Sequence, residues 1–178
     1  SRLQVGTAKS CGSVRITDGA FRVGGYGLDV GFSCDTNIAN CASGTGVVEV
    51  AGGRFSVNGR YGAQNGYWGS SWQLYGSHFG YGRCAKLTSD RVCRGELVVS
   101  SGSFTNYNSE LALGIGNGEG YLRQTGGSIA SGVGTFTLTH TPVVTGDYQQ
   151  DTAFKYVRRA TNALMMVGAF GGYGRVEL

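Results

Sequence analysis

The sequence predicts an all-β chain, a β-solenoid of about five coils, on the strength of two recurring patterns. The first is a ten-residue cassette, Gly-x-[Val/Leu]-x-x-x-x-Gly-x-[Phe/Ile], at Gly12 to Phe21, Gly46 to Phe55, Gly95 to Phe104 and Gly120 to Ile129, with a fifth copy starting at Gly174. The second is an apolar pair closed by a glycine ahead of each cassette. It runs Leu3-Gln4-Val5-Gly6, Leu28-Asp29-Val30-Gly31, Leu111-Ala112-Leu113-Gly114 and Met165-Met166-Val167-Gly168, with a degenerate third member at Gln73-Leu74-Tyr75-Gly76. A strand-sized pattern cannot bury its apolar side alone, so neighbouring units must stack and share one core.

Each unit divides into three short strands. The first is the apolar pair itself. In the second, Val14 and Ile16, Val48 and Val50, and Leu97 and Val99 alternate with Arg15, Glu49 and Val98, which is the period of a strand and not of a helix. The third alternates too, in Phe21-Arg22-Val23 and Phe55-Ser56-Val57. Glycines between them supply the positive φ that sharp corners need. Stacking at about 4.8 Å per strand sets equivalent residues over one another. Phe21, Phe55, Phe104 and Ile129 then form a core ladder, with offset ring stacking expected. The outward register of Arg15, Glu49, Val98, Arg123 and Glu177 puts Arg15 beside Glu49 and Arg123 beside Glu177. Each is an exposed pair worth about 0.2–1 kcal/mol.

Composition agrees. The 178 residues include 33 glycines and one proline, which suits a turn-dense β structure. No apolar run approaches the ~18 residues that would span a bilayer. There is no initiator Met or signal peptide, and both ends fall inside strand signatures. The expectation is a single solenoid segment, residues 1–178, of a larger protein, with insertions at 32–45, 58–72, 77–94 and 133–163. The net charge of +4 is mostly arginine and scattered, with only Arg158 and Arg159 adjacent. That excludes the basic stripe of a nucleic-acid surface.

Two of the loops between first and second strands are enlarged, and each carries two cysteines: Cys34 with Cys41, and Cys84 with Cys93. An insertion arriving with its own cysteine pair reads as a disulfide-closed loop in an oxidising compartment. Zinc is the rival, but it asks for closer Cys-x2-4-Cys spacing or histidine partners, and only His78 lies near. Cys11 is left over, free or paired outside the segment. No metal and no cofactor are expected.

The insertion from Asn58 to Trp72 holds Tyr61, Tyr67, Trp68 and Trp72 among glycines. It is either a satellite core over the solenoid flank or a platform for sugar rings or protein partners. The stretch from Val133 to Ala163 carries strand-like Thr135 to His140 and then a short helix expected over Asp151 to Ala160, capped by Asp151 or Thr152. His140 reads as a polar strand end, since no nucleophile motif accompanies it. The glycine cluster from Gly114 to Gly120 fills the ordinary loop slot and lacks the regular Asp series of a calcium roll.

The succession Leu-x-Leu-Gly, glycine-rich loop and Gly-x-Leu-x-x-Thr-Gly-Gly-Ser-Ile, cleanest from Leu111 to Ile129, resembles the degenerate repeats of bacterial extracellular β-helix proteins, autotransporter passenger regions among them. The resemblance implies a right-handed parallel β-helix at a cell surface, secreted, with adhesion, coat or filament roles. Its partners would be further copies or other surface proteins. The paired-cysteine loops depart from the usual autotransporter pattern.

Two other functions are set against the structural one. One is a carbohydrate-binding module using the aromatic insertion. The other is a polysaccharide lyase or hydrolase, which shares that fold and needs clustered outward carboxylates; here Asp29 and Glu49 are single and faced by Arg. The sequence therefore reads as a non-enzymatic surface protein, with head-to-tail pairing of its end strands as the assembly it would use.

Overall fold

The computed structural model describes residues 2–7, 9–25, 27–33, 44–59, 76–82, 93–107, 110–133, 165–169 and 172–178. They form twelve strands: β1 (Arg2–Thr7), β2 (Cys11–Ile16), β3 (Ala20–Gly25), β4 (Gly27–Ser33), β5 (Gly44–Gly59), β6 (Gly76–Gly82), β7 (Cys93–Tyr107), β8 (Glu110–Gly116), β9 (Gly118–Gln124), β10 (Ser128–Val133), β11 (Met165–Ala169) and β12 (Tyr173–Glu177). Every pairing between them is parallel. The chain is all-β, with no helix among the described residues; the helix expected near Asp151 lies outside them.

The strands make two sheets. Sheet A runs β1-β4-β6-β8-β11, and sheet B runs β12-β9-β7-β5-β2, with β3 on the second half of β5 and β10 on the second half of β7. Both orders follow the chain one unit at a time. Val14, Val48, Leu97, Leu122 and Val176 succeed one another in register, as do Arg15, Glu49, Val98, Arg123 and Glu177. Phe21 pairs with Phe55, Phe55 with Phe104, and Phe104 with Ile129.

The core lies between the sheets. Leu28, Val30, Phe79, Leu111 and Leu113 come from sheet A, and Val48, Val50, Phe55, Leu97, Val99 and Phe104 from sheet B, all without exposed surface. Neighbouring ring centroids in the phenylalanine column are 5.5 Å apart, but the rings are tilted for Phe21–Phe55 and edge-on for Phe55–Phe104, so the offset stacks expected from sequence do not form. Phe79 from sheet A meets Phe104 edge-on at 6.3 Å, and turning the rings fills the strand spacing on both sides. Phe21 sits at the end of its column and is 42% exposed, where the sequence placed it in the interior. One polar group is built into this core: Ser77 Oγ donates to Asn106 Oδ1 at 2.7 Å, both residues fully buried.

The third unit departs from the sequence reading. The partner of Leu28-Asp29-Val30 in sheet A is Ser77-His78-Phe79, not the segment from Gln73 to Gly76, and Gly80 takes the glycine position. Residues 77–82 and 93–94, counted as insertion from sequence, are strand, as are residues 32–33, 44–45, 58–59 and 133 at the edges of the other expected insertions. The glycine decides the register. Gly6, Gly31, Gly80, Gly114 and Gly168 all hold φ between +63° and +71°. At Gly31 an added Cβ would strike the Arg94 carbonyl oxygen, and at Gly80 that of Glu119. Facing them, a Cβ on Gly46 or Gly95 would strike sheet A backbone at Val5 or Val30. Two columns of glycine thus let the backbones of the sheets touch, and only Gly80 can hold the third place.

Replacing Gly80 with alanine should therefore destabilise the protein by at least about 3 kcal/mol, a collision added to backbone strain. Gly24, with nothing within 4 Å of an added Cβ and no positive φ, is the control. Gly24→Ala should stay within about 0.5 kcal/mol in a denaturant titration.

Candidate functional site

Along β4 and β6 the side chains alternate, so Asp29 and His78 lie on the face of sheet A turned away from the central core. There they stack in register, and the His78 ring is held through Nδ1, 2.8 Å from Asp29 Oδ1. Arg2 Nη1 donates to the other carboxylate oxygen at 2.9 Å. Asp29 and His78 have no exposed side-chain surface, and Arg2 has 18%. Beside them a second apolar cluster forms from Phe32, Tyr81, Ala112 and Ile115, with the Tyr81 ring 5.6 Å from the imidazole. A carboxylate away from water is tolerable only when both oxygens are bonded and a cation is at hand, and this one has both.

The outer face of sheet B is built on the opposite principle, with charges in solvent. Arg15 Nε lies 3.2 Å from Glu49 Oε2, the neighbour the sequence assigned it. The second expected pair changes partners. Arg123 and Glu177 are adjacent in register, but Arg175 reaches Glu177 at 2.8 Å along its own strand, while Arg123 lies 3.8 Å from Glu96. Arg94 stands 3.9 Å from the same carboxylate and 4.3 Å over the Tyr121 ring. These residues line a shallow groove of about 210 Å³. Tyr121 donates its phenol to Glu119 Oε2 at 3.1 Å and packs 5.9 Å from Tyr173. Burial pushes the Tyr121 phenol above its ordinary value of 10.0; the hydrogen bond and negative charge of Glu119 add to this, and Arg94 opposes it.

Of the residues singled out from sequence, Cys11 is exposed at the start of β2 and Cys93 buried at the start of β7. Cys34, Cys41, Cys84, Tyr61, Tyr67, Trp68, Trp72 and His140 lie outside the described residues. The Arg2–Asp29–His78 group escaped the sequence reading through the register of the third unit. Aligning Ser77-His78-Phe79-Gly80 with Leu28-Asp29-Val30-Gly31 puts His78 at the position of Asp29. Comparison with protein-family models, with curated proteins and with solved structures finds no match to this chain.

The two faces should answer differently to mutation. Asp29→Ala removes the buried carboxylate that a buried histidine and a largely buried arginine both engage and should cost about 3–5 kcal/mol, whereas Arg15→Ala should cost less than about 1 kcal/mol, both read by chemical denaturation.

The phenol of Tyr121 gives a pH signature. Its folded value lies above the unfolded one, so its contribution to stability is complete below pH 10 and is lost as pH rises through the folded value. In a titration followed by NMR, Tyr121 should ionise later than a free tyrosine. Glu119→Gln should bring it part of the way back, and Arg94→Ala should move it further up.

Proposed function

We propose that this chain is a structural or adhesive extracellular surface protein, wound as a right-handed parallel β-helix of about five coils. Three strand segments make each of the first four coils, one in sheet A and two in sheet B joined through a glycine turn, and the fifth contributes β11 and β12. This is the architecture of autotransporter-passenger-like surface proteins, which the repeats from Leu111 to Ile129 resemble. The observation that carries the reading is the depth of the columns. The same position is filled from unit to unit by glycine at the sheet contact and by Val or Leu in the core. On the outer face of sheet B, the carboxylates Glu49, Glu96 and Glu177 each have an arginine within 4.0 Å. A surface of this kind presents a stable, regular face, and that is what a coat or an adhesin requires.

The enlarged loops between sheets A and B supply the compartment. With the third unit correctly aligned, Gly31 to Gly46 and Gly80 to Gly95 enclose fourteen residues each, and each loop brings two cysteines. Disulfides within them, Cys34 with Cys41 and Cys84 with Cys93, fit maturation outside the cytosol. Protein purified from its source without reductant, denatured and titrated with a thiol reagent, should show one reactive thiol, at Cys11. Five reactive thiols would place it in a reducing compartment and end the extracellular reading.

A further inference from the structure

On the outer face of sheet B every second residue of β7 and β9 turns away from the core, and the burial of both strands alternates accordingly. Register sets Glu96, Tyr121 and Arg175 side by side in one column, with Arg94 in the column before it and Arg123 in the column after. Strands β7 and β9 are paired on both sides, β7 with β5 and β9, and β9 with β7 and β12. Arg94, Glu96, Tyr121 and Arg123 therefore stand within the sheet, and a further coil beside β12 would lengthen this face without covering it. The charges in the groove are unevenly matched. Arg175 is committed to Glu177 at 2.8 Å. Arg94 and Arg123 share Glu96, one at each carboxylate oxygen, and stand 3.9 and 3.8 Å off, beyond hydrogen-bonding distance. Among the described residues neither guanidinium finds a hydrogen-bond acceptor, so two forks of donors flank one carboxylate and positive charge is left over. Arg94 is braced 4.3 Å over the Tyr121 ring, and Tyr173 beside it presents a second, exposed ring.

We infer that this groove binds an acidic saccharide chain, whose acid groups are taken by Arg94 and Arg123 and whose hydroxyls donate to Glu96 between them. A guanidinium fork matches the paired oxygens of a carboxylate or a sulfate, and an arginine already stacked on an aromatic ring loses little freedom in binding one. Sugar hydroxyls need acceptors as well as donors, which Glu96 supplies, and a sugar ring carries an apolar face that the tyrosine rings can meet. Other polymers fit less well. A nucleic-acid backbone would bring its phosphates against Glu96 and Glu177, and a peptide would find no apolar pocket for an anchoring side chain among the described residues of this shallow groove. The inference gives the adhesive reading a class of ligand and rests on that reading.

The full chain, titrated by NMR with a galacturonate hexasaccharide and with a sulfated galactan hexasaccharide, tests this, each probe beside its uncharged counterpart, the methyl ester or the desulfated chain. At least one acidic probe should bind and shift the ring signals of Tyr121 and Tyr173, and its uncharged counterpart should bind at least about tenfold more weakly. Which acidic probe binds tells carboxylate from sulfate. Arg94→Ala and Arg123→Ala, both at half-exposed positions that leave the core intact, should each weaken binding at least about tenfold. Arg94→Lys keeps the charge without the fork and should lose most of the same affinity. Arg15→Ala removes an equal charge from the same face, outside the groove, and should change the Kd less than about twofold. Equal binding of charged and uncharged probes, an equal loss with Arg15→Ala, binding that leaves both tyrosine rings unmoved, or no binding of either acidic probe would overturn the site. The thiol count reads the surface role separately: one reactive thiol in protein that binds neither acidic probe would remove the ligand and leave that role standing.

Discussion

Contact between the backbones of two sheets is the constraint on which the rest depends. Sheets that pack through side chains stand about 10 Å apart. Here the end of each sheet A strand comes against the start of a sheet B strand with no side chain between them, which requires glycine on both sides and a left-handed backbone on one. That contact fixes where each unit turns. It also fixes phase, because side chains alternate at a period of two, and a slip of one residue would turn Val48 and Val50 into solvent and Glu49 into the core. The aromatic and aliphatic columns are therefore consequences of the glycine columns as much as of their own hydrophobicity.

The polar groups divide by the same geometry. On the outer face of sheet B charges meet water, so a pairing lost costs little and partners can be exchanged, as Arg123 and Glu177 show by each choosing another neighbour. On the outer face of sheet A the Arg2–Asp29–His78 group is removed from water, and no exchange is cheap. Arg2 belongs to the first unit, Asp29 to the second and His78 to the third, so the group ties three successive units together through side chains. A mispaired stack would leave a buried charge without its partner, a penalty far larger than any exposed pair returns.

Much of this was legible because the constraints repeat. Gly12, Gly46, Gly95 and Gly120 recur with Val or Leu two residues on, and that spacing alone yields the observed order of sheet B and the neighbours of Phe55 and Phe104. The third sheet A strand was not legible. Its first core position is Ser77, whose hydroxyl is satisfied inside the core by Asn106, a partner 29 residues away that no local pattern announces. With an apolar landmark missing, Leu74 and Gly76 offered a better match to the pattern, although the backbone contact falls at Gly80. The Asp29–His78 pair was lost with it, since its two members become neighbours only after the strand is correctly phased. Exposure at the end of a column, as for Phe21, is a property of position in the stack, and the residue itself carries no mark of it.

Inside and outside columns obey opposite rules of likeness, and this explains why the units resemble one another only in part. Identical apolar residues stacked at strand spacing gain contact, so Val14, Val48, Leu97, Leu122 and Val176 can stay nearly alike. Identical charges stacked at the same spacing repel, so an outward column must alternate in sign or be interrupted by neutral residues. The column Arg15, Glu49, Val98, Arg123, Glu177 does both. Similarity between units is therefore concentrated at glycine and core positions, while the outward positions diverge because stacking forbids them to match. Divergence on the outside of such a fold is itself a product of the repeat, and it leaves each exposed row with a chemical identity of its own.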